Sequence, residues 1–295
     1  MNRFLFLTLF LCVPIAAWGD CATLTEQVQT AARQGDVASL DEYARQIPLE
    51  PSCSDAYRVK LARVAAYGYL REAERRLANG GTLVDQHALL QQSLNTSRTW
   101  QALALMGDLE LGRKQYEAAT LAYQEALGLI NDQSVTPRAP DASVIESIFR
   151  KASESRMLAE QYVAVPVNHR SGSAEGLALT SVRGWVVESV PIPVTFEANS
   201  TRFTSKGEQA ANDLAGYLQR QRSAEITLIG HTDERGPAHQ NLLLSRKRAE
   251  TLAQYLREAG YQGSIKTEGA GESQPLRLAD PGFYSQEEIW ALNRR

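Results

Sequence analysis

The stretch that decides the fold of the C-terminal third is residues 230–237, which read Gly-His-Thr-Asp-Glu-Arg-Gly-Pro. Immediately before it, residues 225–229 are Glu-Ile-Thr-Leu-Ile, and this β-branched, apolar run is typical of a strand. After it, a helical pattern extends to about Ala259, and Ser264–Glu268 has the character of a further strand. A helix is also predicted at residues 205–220. Strands that alternate with helices predict an α/β sandwich with helices on one face of a single sheet.

Two more strands are expected upstream of this unit, at residues 185–187 and 191–196. Pro191 and Pro193 have no amide hydrogen to donate, so the second of these strands is expected at a sheet edge or with a late start. With them, the predicted C-terminal domain spans residues 184–295.

Several short motifs of this domain occur together and in order. Besides Gly-His-Thr-Asp at 230–233, they are Gly236, Asn241, Leu244-Ser245, Arg248-Ala249, Gly269, Gly271-Glu272, Pro275 and Asn293-Arg294-Arg295. The set resembles the signature of the OmpA-like domain family, and Asp-Glu-Arg-Gly resembles the peptidoglycan-associated lipoproteins in particular. The resemblance implies a mixed βαβα-type sheet that binds the diaminopimelate of peptidoglycan stem peptides without chemical reaction. The family continues past Asn-Arg-Arg with a hydrophobic closing strand; ending at Arg295, this sequence either lacks that strand or is truncated.

The resemblance implies a ligand site. It assigns Asp233 and Arg248 as the diaminopimelate ligands, Asn241 and Thr232 as secondary contacts, and Arg294 as a further candidate. The chemistry agrees, because the end of diaminopimelate carries an ammonium and a carboxylate on one carbon. An aspartate can pair with the ammonium, and a guanidinium offers a planar fork to the carboxylate. Without this set of motifs, the alternative interpretation is that Asp233 caps a turn or helix and that Arg248 is a surface cation.

Neither a metal nor a cofactor is expected. The four histidines are scattered along the chain, no cysteine lies near the motif, and the spacings of zinc sites and catalytic triads are absent. His231 is therefore predicted to be a structural hydrogen-bonding residue at the end of a strand.

The N-terminus has the pattern of a secretory signal. Arg3, the apolar run Phe4–Ala17 and the small residue Gly19 predict a signal peptide over residues 1–19. The apolar run is shorter than the roughly 20 residues that a membrane-spanning helix needs. An uncleaved anchor remains the alternative.

Cysteine use agrees with export. Cys12 lies in the predicted signal, so the exported chain keeps Cys21 and Cys53, and two cysteines in an oxidising compartment predict one disulfide. A lipid on Cys21 is the competing interpretation, but the preceding Asp20 does not suit a lipobox.

Residues 20–133 are rich in alanine, leucine, glutamine and arginine, which are strong helix formers. The predicted helices lie at 24–34, 37–46, 55–77, 83–94 and from 99 onward. In the segment 99–132 the spacing resembles a tetratricopeptide repeat, carried by Gly107, Tyr116, Ala119, Tyr123 and Ala126. An unrelated small helical bundle is the alternative. Residues 134–183 are read as one further helix, at 142–162, and a linker at 166–174.

The predicted fold is thus an all-α, repeat-like N-terminal domain followed by an α/β domain of OmpA-like type. A net charge of −3 gives no global indication of nucleic-acid binding, which would require a basic face, and no nucleic-acid partner is expected. The predicted function is non-catalytic, non-covalent binding to peptidoglycan in a Gram-negative periplasm, at the cell wall and outer membrane, with an envelope protein partner on the helical domain. The alternative is a wall-modifying enzyme that carries a binding module, although the first 165 residues contain no paired carboxylates, nucleophile elbow or metal cluster.

Overall fold

The computed structural model describes residues 20–164, 181–186, 189–221 and 224–295. The predicted signal peptide and the predicted linker at 166–174 lie outside the described residues.

The N-terminal part consists of helices. In chain order they are α1 (Cys21–Gln34), α2 (Val37–Gln46), α3 (Asp55–Ala78), α4 (His87–Thr96), α5 (Trp100–Gly112), α6 (Tyr116–Asn131) and α7 (Ala142–Leu158), with a short 3-10 helix (Ile47–Leu49) after α2. Local signals set the ends of these helices: the Asp20 side chain accepts a hydrogen bond from the Thr23 amide at the start of α1. Gly35 ends α1 in the left-handed conformation, with φ of 72°.

One apolar core joins α1 to α7, which we call the helical half. Its largest fully buried side chains include Tyr69, Tyr123 and Leu103. The helices α5 and α6 pack closely because Gly107 has no side chain: a Cβ at this position would lie 2.5 Å from the Tyr123 ring. The assignment of this helix pair to a repeat family stays a prediction.

A disulfide joins Cys21 to Cys53, with the two Cα atoms 5.1 Å apart. It connects the first residue of α1 to the turn that precedes α3. Among the described residues, no helix is both long enough and apolar enough to cross a bilayer.

The C-terminal part mixes strands and helices. Its elements are β1 (Ser181–Val182), β2 (Trp185–Val186), α8 (Ser205–Gln221), β3 (Glu225–His231), α9 (Ala238–Glu258), β4 (Ser264–Gly271) and α10 (Gln286–Asn293). The strands β1 and β2 form an antiparallel pair, and β3 and β4 form a parallel pair in register from Glu225 opposite Ser264. A second apolar cluster lies between α8, α9 and β3.

The strand predicted at 191–196 is mostly wrong. Residues 191–195, which the structure describes, form no strand, and Phe196 makes a single antiparallel bridge with Phe203. Pro191 and Pro193 explain the difference, since neither can donate a hydrogen bond to a neighbouring strand.

The segment from Leu276 to Leu292 packs on the helical half. Tyr284 and Leu292 are buried in the same apolar cluster as α1 to α7, and Leu276 and Ile289 pack against it. The two predicted domains are therefore in contact through the last elements of the chain.

Candidate functional site

The predicted site residues meet in one open pocket of about 980 Å³ at the carboxyl end of β3 and the start of α9. The lining residues are Phe196, Ala198, Asn199, Thr232, Asp233, Arg235, Gly236, Pro237, Gln240, Asn241, Leu244, Arg248 and Arg294. They include all five residues predicted as ligand contacts. The structure thus brings together residues from the loop after β3, from α9 and from the end of α10.

Asp233 presents a buried carboxylate in this pocket. Its Oδ2 accepts hydrogen bonds from Arg235 Nη2 at 2.7 Å and from Arg294 Nη1 at 2.6 Å. Its Oδ1 accepts one from the Arg235 amide at 3.1 Å. Burial by itself raises the pKa of Asp233, but the hydrogen bonds from Arg235 and Arg294 outweigh it and hold the pKa below its ordinary value. The carboxylate is therefore charged at neutral pH.

Arg248 presents a buried guanidinium to the same pocket. Its Nε donates to the Ser200 carbonyl at 2.9 Å, its Nη2 donates to the Glu197 carbonyl at 3.0 Å, and the group lies 5.2 Å from the Phe196 ring centre. These contacts fix the plane of the guanidinium. Burial and then the nearby charge of Arg294 lower the pKa of Arg248, so an anion in the pocket would relieve an unfavourable environment.

Asn241 holds the loop that carries Asp233. Its Nδ2 donates to the carbonyls of Asp233 and Arg235, both at 3.2 Å, and to Glu272 Oε2 at 2.7 Å. The loop turns at Gly236, whose φ of 97° favours glycine. The side-chain Nδ2 of Asn241 is thus engaged by hydrogen bonds to the loop, and these bonds fix the position of Asp233.

The strand β3 lies very close to α9 beneath the pocket. A Cβ at Gly230 would lie 2.1 Å from the Ser245 carbonyl oxygen, so only glycine fits there. The Thr232 amide donates to the Gly271 carbonyl at 2.9 Å, while its buried Oγ1 has no partner among the described residues. Because an unpaired buried hydroxyl is costly, Thr232 is poised to bond a group that enters the pocket.

Sequence analysis missed three residues that shape the site. Phe196 supports Arg248, Arg235 shares Asp233 with Arg294, and Trp290 in α10 lies 4.8 Å from the Arg235 guanidinium. Arg235 lies two residues after Asp233 in the quoted motif, so the sequence did indicate that the two side chains could pair. Phe196 and Trp290 come from distant segments and offered none.

His231 is buried at the end of β3, and its amide donates to the Arg295 carbonyl at 2.7 Å. Burial, followed by the nearby Arg295 charge, lowers the pKa of His231 to about 4. The imidazole is therefore neutral at pH 7. No cluster of three or more potential metal ligands occurs in the described part of the chain.

We expect His231 to make the protein less stable in mild acid. Between the ordinary pKa of 6.5 and the native value of about 4, the unfolded chain binds the proton and the native protein does not. The free energy of unfolding must therefore fall as the pH is lowered through this window. Urea unfolding at pH 7 and pH 5 measures the loss, which His231→Asn should reduce. His239→Asn, which removes an exposed histidine, should lose as much stability between pH 7 and pH 5 as the wild type. If His231→Asn loses that same amount, His231 is not the source of the pH dependence.

Comparison with known proteins identifies the C-terminal part. Residues 195–283 match the OmpA family, so this segment is an OmpA family domain. The peptidoglycan-associated lipoprotein of Legionella pneumophila is 35% identical over 101 residues, which cover 34% of this chain and 54% of that protein. Its counterpart in Buchnera aphidicola subsp. Baizongia pistaciae is 32% identical over 103 residues, which cover 35% and 57%. The chain therefore spans little more than half the length of these curated relatives.

One solved structure is also similar to part of this chain. The crystal structure of the peptidoglycan-associated lipoprotein from Burkholderia pseudomallei is 29% identical, with a TM-score of 0.30, and the match covers 34% of this chain and 82% of that one.

Proposed function

We propose that this protein binds peptidoglycan non-covalently through the diaminopimelate of its stem peptides and attaches an envelope protein or complex to the cell wall. One observation carries the proposal: a single open pocket contains a buried carboxylate, Asp233, and a buried guanidinium, Arg248. Buried charges of opposite sign in an open pocket suit a ligand that is itself a compact zwitterion. The free end of diaminopimelate is such a group.

The ammonium of the ligand pairs with Asp233. An ionised carboxylate offers about four lone-pair sites. The guanidinium groups of Arg235 and Arg294 occupy Oδ2, whereas Oδ1 accepts only the Arg235 amide among the described residues. Oδ1 therefore retains an acceptor site for the incoming ammonium without displacement of either arginine.

The carboxylate of the ligand pairs with Arg248. In Arg248, Nε and Nη2 donate to backbone carbonyls, while Nη1 donates to no atom of the described residues. A charge-assisted bond from Nη1 is short and roughly twice as strong as a neutral one. Arg294 lines the same pocket and provides a second cation, and Thr232 Oγ1 provides an unpaired hydroxyl.

The comparisons support this function at a coarser level. The domain belongs to the OmpA family, and the relatives are named peptidoglycan-associated lipoproteins. We therefore propose that the protein is exported to the periplasm of a Gram-negative bacterium and associates with the wall and outer membrane. The helical half serves as the surface for a protein partner. We propose that the pocket binds its ligand without catalysis.

The test compares two wall types. The full chain should sediment with sacculi that contain diaminopimelate and bind at least about 30-fold more weakly to walls with lysine at the same position. Lysine lacks the second carboxylate, and the loss of one partner of a buried charge pair costs about 2–5 kcal/mol. Equal binding to the two walls would contradict the proposed pocket.

Two controls sharpen this test. Walls in which the free carboxylate of diaminopimelate is amidated keep the ammonium but lose the anion, so they should behave like the lysine type. Labelled sacculi incubated with the protein should release no soluble fragments. Release in proportion to protein concentration would favour the wall-modifying enzyme instead.

A further inference from the structure

The helix α10 contacts the helical half on one side. Glu288 accepts hydrogen bonds from Lys114 Nζ at 2.7 Å and from the Tyr116 hydroxyl. Leu292 is fully buried in the apolar core of the helical half, and Ile289 packs against it. Burial by itself raises the pKa of Glu288, but the hydrogen bonds from Lys114 and Tyr116 hold it at about 2. The contact between α10 and the helical half is therefore ionic as well as apolar at neutral pH.

The segment that precedes α10 is fixed to the same surface. Glu154 of α7 is buried and accepts hydrogen bonds from the Ala279 amide at 2.8 Å and the Tyr284 hydroxyl at 2.7 Å. Lys114 Nζ also donates to the Phe283 carbonyl at 2.5 Å. These bonds leave the start of α10 little freedom to move apart from the helical half.

The other side of α10 contacts the ligand pocket. Trp290 Nε1 donates to Glu234 at 3.1 Å, and the Trp290 ring lies against the Arg235 guanidinium. Directly after the helix, Arg294 donates to Asp233 at 2.6 Å. All three contacted residues, at positions 233–235, belong to the loop that carries the ligand carboxylate.

The helical repeat explains the two-sided contact. Residues four apart lie on one face of a helix, whereas residues two apart point in nearly opposite directions. Glu288 and Leu292 therefore share one face of α10, and Trp290 lies on the opposite face. A single short helix thus connects the helical half to the pocket loop.

We propose that the helical half positions Trp290 and Arg294 at the pocket through α10, so that affinity for the wall depends on the contact of Lys114 and Tyr116 with Glu288. The inference rests on the proposed function, because it concerns the regulation of the same pocket. Lys114, Tyr116 and Glu288 are positioning residues, since none of them lines the pocket. Coupling between two sites is reciprocal, so a protein partner that displaces α10 from the helical half weakens wall binding, and wall binding holds α10 in place.

The test measures the affinity of the full chain for a soluble stem tripeptide that ends in diaminopimelate. Lys114→Ala and Tyr116→Phe should each raise the dissociation constant about five-fold or more, the lower end of measured couplings between sites. Lys114→Arg, which keeps a cationic donor, should restore most of the affinity. Hydrogen exchange at the amides of α10 should slow when the tripeptide saturates the wild type.

Two matched controls separate positioning from general stability. Arg113→Ala removes the neighbouring cation, which pairs with Glu110 and, among the described residues, forms no hydrogen bond or ion pair with α10. Leu40→Ala destabilises the core of the helical half at α2, which packs against α1 and α3, whereas α10 packs against α7. Both should bind the tripeptide with wild-type affinity while folded, although Leu40→Ala melts at a lower temperature.

The outcomes distinguish the two proposals. A wild-type chain that does not bind the tripeptide overturns the proposed function. A wild type that binds, with folded Lys114→Ala and Tyr116→Phe binding equally well, overturns the positioning role and leaves the proposed function intact. An equal loss of affinity in Leu40→Ala would also overturn the positioning role, since it would make the effect one of stability.

Discussion

Replacement of Asp233 with alanine is expected to weaken binding to diaminopimelate-type sacculi by at least about 30-fold. The variant leaves the ligand ammonium in a pocket with no counter-charge, and removal of one partner of a buried charge pair costs about 2–5 kcal/mol. The pocket would also become strongly cationic, because Arg235 and Arg294 both lose their shared carboxylate. Sedimentation of the folded protein with purified sacculi measures the loss.

Charge and shape can be separated at the same position. Asp233→Asn keeps the size of the side chain and an acceptor oxygen but removes the negative charge. We expect Asp233→Asn to bind nearly as weakly as Asp233→Ala, because the ammonium requires a counter-ion. Wild-type sedimentation by both folded variants would show that Asp233 does not contact the ligand.

Arg248→Ala should weaken binding to diaminopimelate-type sacculi to a similar extent as Asp233→Ala. Arg248→Lys should recover only part of that binding. A lysine ammonium lacks the planar fork and cannot donate to the carbonyls of Glu197 and Ser200 while it also reaches the ligand. Arg246→Ala is the matched control, since Arg246 lies on the same helix, is exposed and pairs with Glu250. It should sediment like the wild type.

The helices were predictable from sequence because their signals are local. The predicted helix at 37–46 coincides with α2, and the predicted helix at 205–220 differs from α8 by one residue. The strand at 191–196 was not predictable in the same way, because pairing depends on a partner elsewhere in the chain. Two prolines there removed the donors that a neighbouring strand would need.

The proximity of Asp233 and Arg248 could be predicted, because both belong to the ordered set of short motifs that resembles the family signature. The aromatic residues that support the site could not be predicted, since Phe196 and Trp290 reach it only through tertiary packing. The helix α10 had a readable signal that sequence analysis passed over: Ser285 and Glu288 form a capping box at its start. Its contact with the helical half is a property of the folded chain, and no spacing in the sequence indicates it.

Loss of the disulfide between Cys21 and Cys53 is expected to lower the free energy of unfolding by about 3–4 kcal/mol. The bond joins residues 32 positions apart, and in the chain-entropy model a closed loop of that size restricts the unfolded chain by this amount. For a chain of 295 residues the melting temperature should fall by roughly 6 °C. Thermal melts of Cys21→Ser, Cys53→Ser and the double variant measure the effect.

The three variants should be almost equally destabilised, because either substitution alone removes the whole cross-link and the second has nothing left to break. The bond lies at α1 and the turn before α3, and neither cysteine lines the ligand pocket. Sedimentation with sacculi should therefore stay at the wild-type level below the melting transition. Native protein from an oxidising compartment should show no reactive thiol until it is denatured and reduced. Two reactive thiols in native protein would contradict the pairing, and a lipid mass on Cys21 would instead place the protein at a membrane surface.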